Sequence, residues 1–181
     1  MRLIEHPERY KVGTRVLFLK SRHKDGITNE RQLTRVTHSV GALDAALGEL
    51  AALSTDGERI YGSAGARDLS KAVRLFKERQ LAAEYDADPG AFYRDLEDRW
   101  ASALMAPTSQ RDKLWLFDCD APDEAAVVTS DLARIGIRGE ALYQYASKTG
   151  THMIVEPFDR TLLSELAAAR IHANPLMLWG F

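Results

Sequence analysis

Two carboxylates stand two residues apart at the end of an apolar run, Lys113-Leu-Trp-Leu-Phe-Asp118-Cys-Asp120. The run KLWLF reads as a buried strand, and alternate strand residues share a face. Asp118 and Asp120 therefore project together while Cys119 points the other way. Like charges so placed repel one another, and a bound divalent cation is the usual way to offset that. Some thirty residues later the chain reads Lys148-Thr149-Gly150-Thr151-His152-Met-Ile-Val. This offers a cation, two hydroxyls and a Gly-flexible turn, the ingredients of a phosphate cradle, with an imidazole opening the next apolar strand. Aspartates holding Mg²⁺ or Mn²⁺, with basic donors beside them, describe a metal-assisted phosphoryl or nucleotidyl transfer site.

The elements that must position these groups follow a regular rhythm. The strand at 113–120 leads into a helix from about Pro122 to Ile135, with Pro just inside its start and acids in its first turn. Leu142–Ser147 alternates as a strand, the Lys148-Thr-Gly150 turn follows, and His152–Pro157 is the next strand. Asp159 caps a helix through Thr161–Arg170, and Ala173–Trp179 is a last short strand. That order is β-α-β-β-α-β, the split βαβ of ferredoxin-like and RRM-like folds, in which the first and third strands are neighbours. The Asp118/Asp120 strand is thereby expected beside the His152 strand. The expected fold is α+β: this core over residues 111–181, preceded by a mostly helical α/β portion over residues 1–110, the two forming one compact unit. In that portion the pattern predicts strands at Arg15–Lys20, Gln32–Thr37 and Arg59–Ser63. It predicts helices at Gly41–Leu53, Ala66–Tyr85 and Phe92–Met105, with Leu69, Val73, Phe76 and Leu81 among the apolar positions of the second.

Composition narrows the class. Of 181 residues, 45% are hydrophobic and 28% charged, enough for a well-cored globular protein. No apolar run approaches the roughly 20 residues that span a bilayer, and the start is too acidic and too poor in apolar residues for a signal peptide. One cysteine excludes an intrachain disulfide and a cysteine-rich zinc site. The expected location is cytoplasmic, without membrane contact. The net charge of −2 hides an asymmetry, because residues 1–35 carry nine Lys/Arg against four acids. Arg15, Lys20 and Arg22 are candidate contacts to a nucleic-acid backbone. Arg67 and Lys71, at the start of the second helix, are further candidates for such a contact.

The strand ending in Phe117-Asp118-Cys-Asp120, with the later Lys148-Thr149-Gly150-Thr151-His152 before an apolar strand, resembles the archaeo-eukaryotic primase (primase-polymerase) superfamily, in a small phage-type or degenerate form. The resemblance covers about residues 110–181 and rests on short motifs. It implies an RRM-like catalytic core, Asp118 and Asp120 as ligands of Mg²⁺ or Mn²⁺, and His152 at the phosphates of an incoming nucleoside triphosphate. Lys148, Thr149 and Thr151 would join His152 there. One departure stands out. The third motif of that family is a carboxylate on a later strand, and the nearest equivalent here is Asn174, with Glu156 and Asp159 as spatial substitutes.

Alternatives use the same residues. The aspartates could simply cap the helix at Pro122, or the cleft could bind nucleic acid or a protein partner without catalysis. A third alternative is a metal-dependent phosphoesterase. Phe-Asp-x-Asp also opens the haloacid dehalogenase phosphatases, but here Ala121-Pro-Asp123 runs straight into a helix. Cys119 reads as core, and Tyr143 and Tyr145 as sheet packing or, where exposed, a surface for a base.

Overall fold

Val16 and Phe18 alternate with Leu17 and Leu19, so the first strand is apolar on both faces and has to lie inside a covered sheet. It does. In the computed structural model, which describes residues 1–21, 32–85, 88–147 and 149–181, β1 (Arg15–Ser21) pairs antiparallel with β2 (Gln32–Thr37) and with β3 (Glu58–Ser63). Between them α1 (Val40–Leu53), whose N-cap Ser39 accepts the Ala42 N–H, buries Leu43, Leu47 and Leu50 and lies against β2 and β3. Next come α2 (Leu69–Ala83), capped by Asp68, then α3 (Gly90–Arg94) and α4 (Leu96–Met105). Val16 and Phe18 pack with Ala72 of α2 and with Trp100, Ala101 and Leu104 of α4.

The chain then builds a second sheet from β4 (Trp115–Cys119), β5 (Leu142–Ala146), β6 (Thr151–Val155) and β7 (Ile171–Ala173). The helix α5 (Pro122–Arg134) follows β4, and α6 (Glu165–Ala169) precedes β7. The strand order is β5-β6-β4-β7, antiparallel throughout. Phe117, Cys119, Met153 and Val155 point to one face and form a core with Val128 and Leu132 of α5 and Ala167 of α6. Asp131 ties the helices together: one carboxylate oxygen accepts the Ser164 N–H at 2.8 Å and the other faces Arg134 at 3.1 Å. Hydrogen bonds from Ser164 hold that carboxyl below its ordinary range.

The described residues thus form an α+β chain of two antiparallel four-stranded sheets and six α-helices. It divides into two units, residues 1–112 with 176–181, and residues 113–175. No described helix is long and apolar enough to cross a membrane.

Four expectations change. The helix expected over 161–170 is a 3-10 turn at Arg160–Leu162, which Asp159 caps, followed by the short α6, which Ser164 caps. The last strand is two: β7 ends at Ala173, Asn174 adopts a left-handed φ of 53°, Pro175 follows, and β8 (Leu176–Gly180) joins the first sheet beside β3. A residue in that conformation with a proline after it cannot continue a strand. The helix expected over 92–105 is interrupted at Asp95, whose φ and ψ of −112° and 35° are not helical. In α2, Leu69, Val73 and Leu81 are exposed, and the buried positions are the small Ala72 and Ala83.

Arg15 is the least expected member of the first core, at 1% exposure. Its Nη1 donates to the carbonyls of Ser63 and Ala64, and its Nη2 to Val12 at 3.2 Å. Burial pushes its pKa down to about 10, with Asp112 acting in the opposite sense. Replacing Arg15 with Leu strands the buried carbonyls of Ser63 and Ala64, and a buried unsatisfied acceptor costs more than a hydrogen bond gains. Urea denaturation of Arg15→Leu is expected to show a loss of about 3 kcal/mol; wild-type stability would show that the guanidinium is not needed there.

Candidate functional site

The face of β4 that does not enter the core carries Leu116 and Asp118. Cross-strand pairing sets Asp118 opposite His152 on β6, and His152 opposite Tyr145 on β5. The three side chains meet in a row. Nε2 of His152 lies 3.1 Å from Oδ1 of Asp118, and Nδ1 lies 2.9 Å from the Tyr145 hydroxyl. An ionised carboxylate can only accept, so the proton belongs on Nε2, and in the neutral ring Nδ1 accepts from the Tyr145 O–H. Tyr145 also packs edge-on to the imidazole and stacks with Tyr143. The ring is thus fixed on both sides. The side chain of His152 is 10% exposed, whereas that of Asp118 is 46% and that of Asp120 72% exposed. Both carboxylates reach the solvent, and the imidazole is held behind that of Asp118.

Asp120 lies just past the end of β4, where the chain turns into α5. Ala121 occupies the N-cap and has no capping group; Glu124, in the first turn, reaches back instead and accepts the Asp120 N–H at 2.9 Å. This is half of a capping box displaced by one residue. The cap is therefore supplied from Glu124, a residue the sequence reading did not single out. Arg170 is a second addition. Its carbonyl accepts the Asp118 N–H at 3.0 Å, Nη2 is bonded to Glu124, and Nη1 stands 4.0 Å from Oδ2 of Asp120. Nothing local to Arg170 advertises this role, because the partners are some fifty residues apart.

The turn between β5 and β6 runs against the end of β4. A Cβ on Gly150 would lie 2.0 Å from the Cys119 carbonyl oxygen and 3.0 Å from the Asp120 Cα, so only glycine permits the approach. Ser147 closes the turn, its hydroxyl accepting the Gly150 N–H at 3.0 Å and its own N–H donating to the Gly150 carbonyl at 2.8 Å. Thr149 is exposed and Thr151, the first residue of β6, is half-buried opposite Cys119. Lys148 and Arg22 fall outside the described residues.

Other candidates are placed elsewhere. Asn174 follows Ala173, the partner of Trp115, and so sits at the far end of β4 from Asp118. Glu156 is four residues along from His152, about 13 Å on a strand, and Asp159 spends its carboxylate on the Thr161 N–H and hydroxyl. Arg15 and Arg67 are 1% and 3% exposed, so both belong to the first core rather than to an external contact surface. Lys71 is 58% exposed beside Asp68, and Lys20 lies over the Tyr61 ring at 5.4 Å. Among the described residues no three His, Cys, Asp or Glu side chains form a metal-binding group.

Asp118 and Asp120 are the exposed carboxylates at this end of β4 that could take part in holding a divalent cation. Magnesium is typically held by one or two carboxylates, with waters and substrate phosphates completing its shell. No family model matches the chain, and no curated protein does either.

Cys119 is fully buried on the core face, and burial, with Glu124 and Asp118 adding to it, pushes its thiol up to about 11. The thiolate is the reactive form. At pH 8 the folded protein is expected to resist thiol reagents and to be labelled at once after denaturation. Rapid labelling of the native state would contradict the burial.

Proposed function

We propose that the chain is a divalent-metal-dependent nucleotide-handling protein of the primase-polymerase kind, with residues 113–175 as its RRM-like core. The observation that carries this reading is the register that sets Asp118 against His152 at 3.1 Å, with Asp120 two residues further on. The strand order β5-β6-β4-β7, with a helix after the first strand and another before the last, supports the core assignment.

In this reading Asp118 and Asp120 hold Mg²⁺ or Mn²⁺ at the phosphates of a nucleoside triphosphate, while His152, expected at those phosphates, has both ring nitrogens engaged by Asp118 and Tyr145 and positions Asp118 from behind instead. Thr149 and Thr151 stand in or beside the turn that Gly150 brings against Cys119 and Asp120. The bound metal would offset developing charge on the transferring phosphoryl group. The chain's own residues position and exclude: Tyr145 and Asp118 orient the imidazole, and the glycine turn keeps backbone close to the acids. Of the basic side chains expected at a nucleic-acid backbone, Lys20 and Lys71 are the two described ones that are not buried in the first core.

One observation favours binding without chain extension. Asn174 occupies a left-handed turn at the far end of β4, so that position adds no carboxylate to the acid pair. A non-catalytic nucleic-acid- or protein-binding module on the same fold is therefore the second reading.

Calorimetry with ATP separates these. With Mn²⁺ present, wild type is expected to bind, and affinity should fall at least about 100-fold on chelation or in Asp118→Ala/Asp120→Ala. Binding that responds only to salt would favour the second reading, and no binding in either protein would remove the nucleotidyltransferase reading.

A further inference from the structure

Arg170 sits where β7 begins, and the Asp118 N–H donates to its carbonyl. From that anchored backbone its guanidinium reaches the acids. Nη2 is committed to Glu124, while Nη1 is 4.0 Å from Asp120, close enough to be charge-paired and too far for a hydrogen bond. Glu124 is in turn fixed by the Asp120 N–H and is 14% exposed, whereas Arg170 is 37% exposed. One edge of the planar fork is therefore anchored on a largely buried carboxylate. The other edge is turned toward the exposed aspartate.

A guanidinium stays charged at any working pH and its donors match the oxygens of a phosphate. One already held in place loses little freedom when it meets a ligand. Asp118 and Asp120 attract cations, and a cation fixed among them does not improve that attraction; its use lies with an anion that arrives together with the metal.

We propose that Arg170 contacts the polyphosphate of a metal-bound nucleotide and that Glu124 is the positioning residue that aims it. This rests on the metal–nucleotide reading above. A purely structural brace makes a different prediction, because loss of a brace loosens the aspartates and weakens metal and nucleotide binding together. Loss of a phosphate contact weakens the nucleotide alone, and removing the positive charge leaves metal binding unchanged or tighter.

The test measures Mn²⁺ binding alone by electron paramagnetic resonance and Mn²⁺–ATP binding by calorimetry, with thermal melts to confirm folding. Arg170→Gln is expected to keep Mn²⁺ affinity within about threefold of wild type, or tighten it, and to lose Mn²⁺–ATP affinity at least about tenfold. Arg170→Lys should fall between. Glu124→Gln should weaken Mn²⁺–ATP binding in the wild-type background and add nothing in Arg170→Gln, the non-additivity of a pair acting as one. Parallel losses of metal and nucleotide, or no loss of either, would overturn the proposal while leaving the site reading intact. A wild type that binds no Mn²⁺ would overturn both.

Discussion

The pairing of β4 with β6 is the constraint on which the candidate site depends. Asp118 faces His152 only in the register that also sends Phe117, Cys119, Met153 and Val155 into the core with α5 and α6. A slip of one residue would exchange the two faces, driving Asp118 into an apolar interior and exposing Phe117. Burying a carboxylate without a partner costs several kcal/mol, as does losing the burial of a large aromatic side chain. The packing that stabilises the second sheet therefore also fixes which side chains meet on its other face. Gly150 adds to this, since its turn fits against Cys119 only when the strands are aligned in this way.

Much of this was legible because period-two alternation encodes it locally. The run KLWLF announces a strand and its two faces, and Gly150 followed by His152 announces a turn and a second strand. The β2 expectation at 32–37 coincides with the observed strand. What the sequence did not disclose is long-range. Glu124 and Arg170 are unremarkable residues of a helix start and a helix end, and their meeting follows from the strand order rather than from any motif. The basic residues mislead for a related reason: Arg15 looks like a surface charge until the carbonyls of Ser63, Ala64 and Val12 are seen to surround its guanidinium.

Apolar periodicity had a second limit in α2. Leu69, Val73 and Leu81 recur at helical spacing, yet Ala72 and Ala83 are the residues buried. A stripe of apolar residues marks a helix well, but it does not say which face the neighbours will cover, because close packing selects small side chains as readily as large ones. The same holds for the aspartates. Their spacing says that they share a face, and the partners that decide what they do were set by pairing across the sheet.

The path of the last strand has a consequence for the order in which the protein is made. β8 occupies the position beside β3 in the first sheet, with the bulky Trp179 seated over Gly62, where a Cβ would lie 2.6 Å from the indole nitrogen. The ribosome delivers β8 only after the whole of residues 113–175. Until then, β3 has an unfilled edge and the space over Gly62 has no indole to fill it. The second unit has all of its strands in continuous sequence and can close first, whereas the first must wait with an open strand edge. For that interval the nascent chain exposes a site of mispairing that the finished protein does not have.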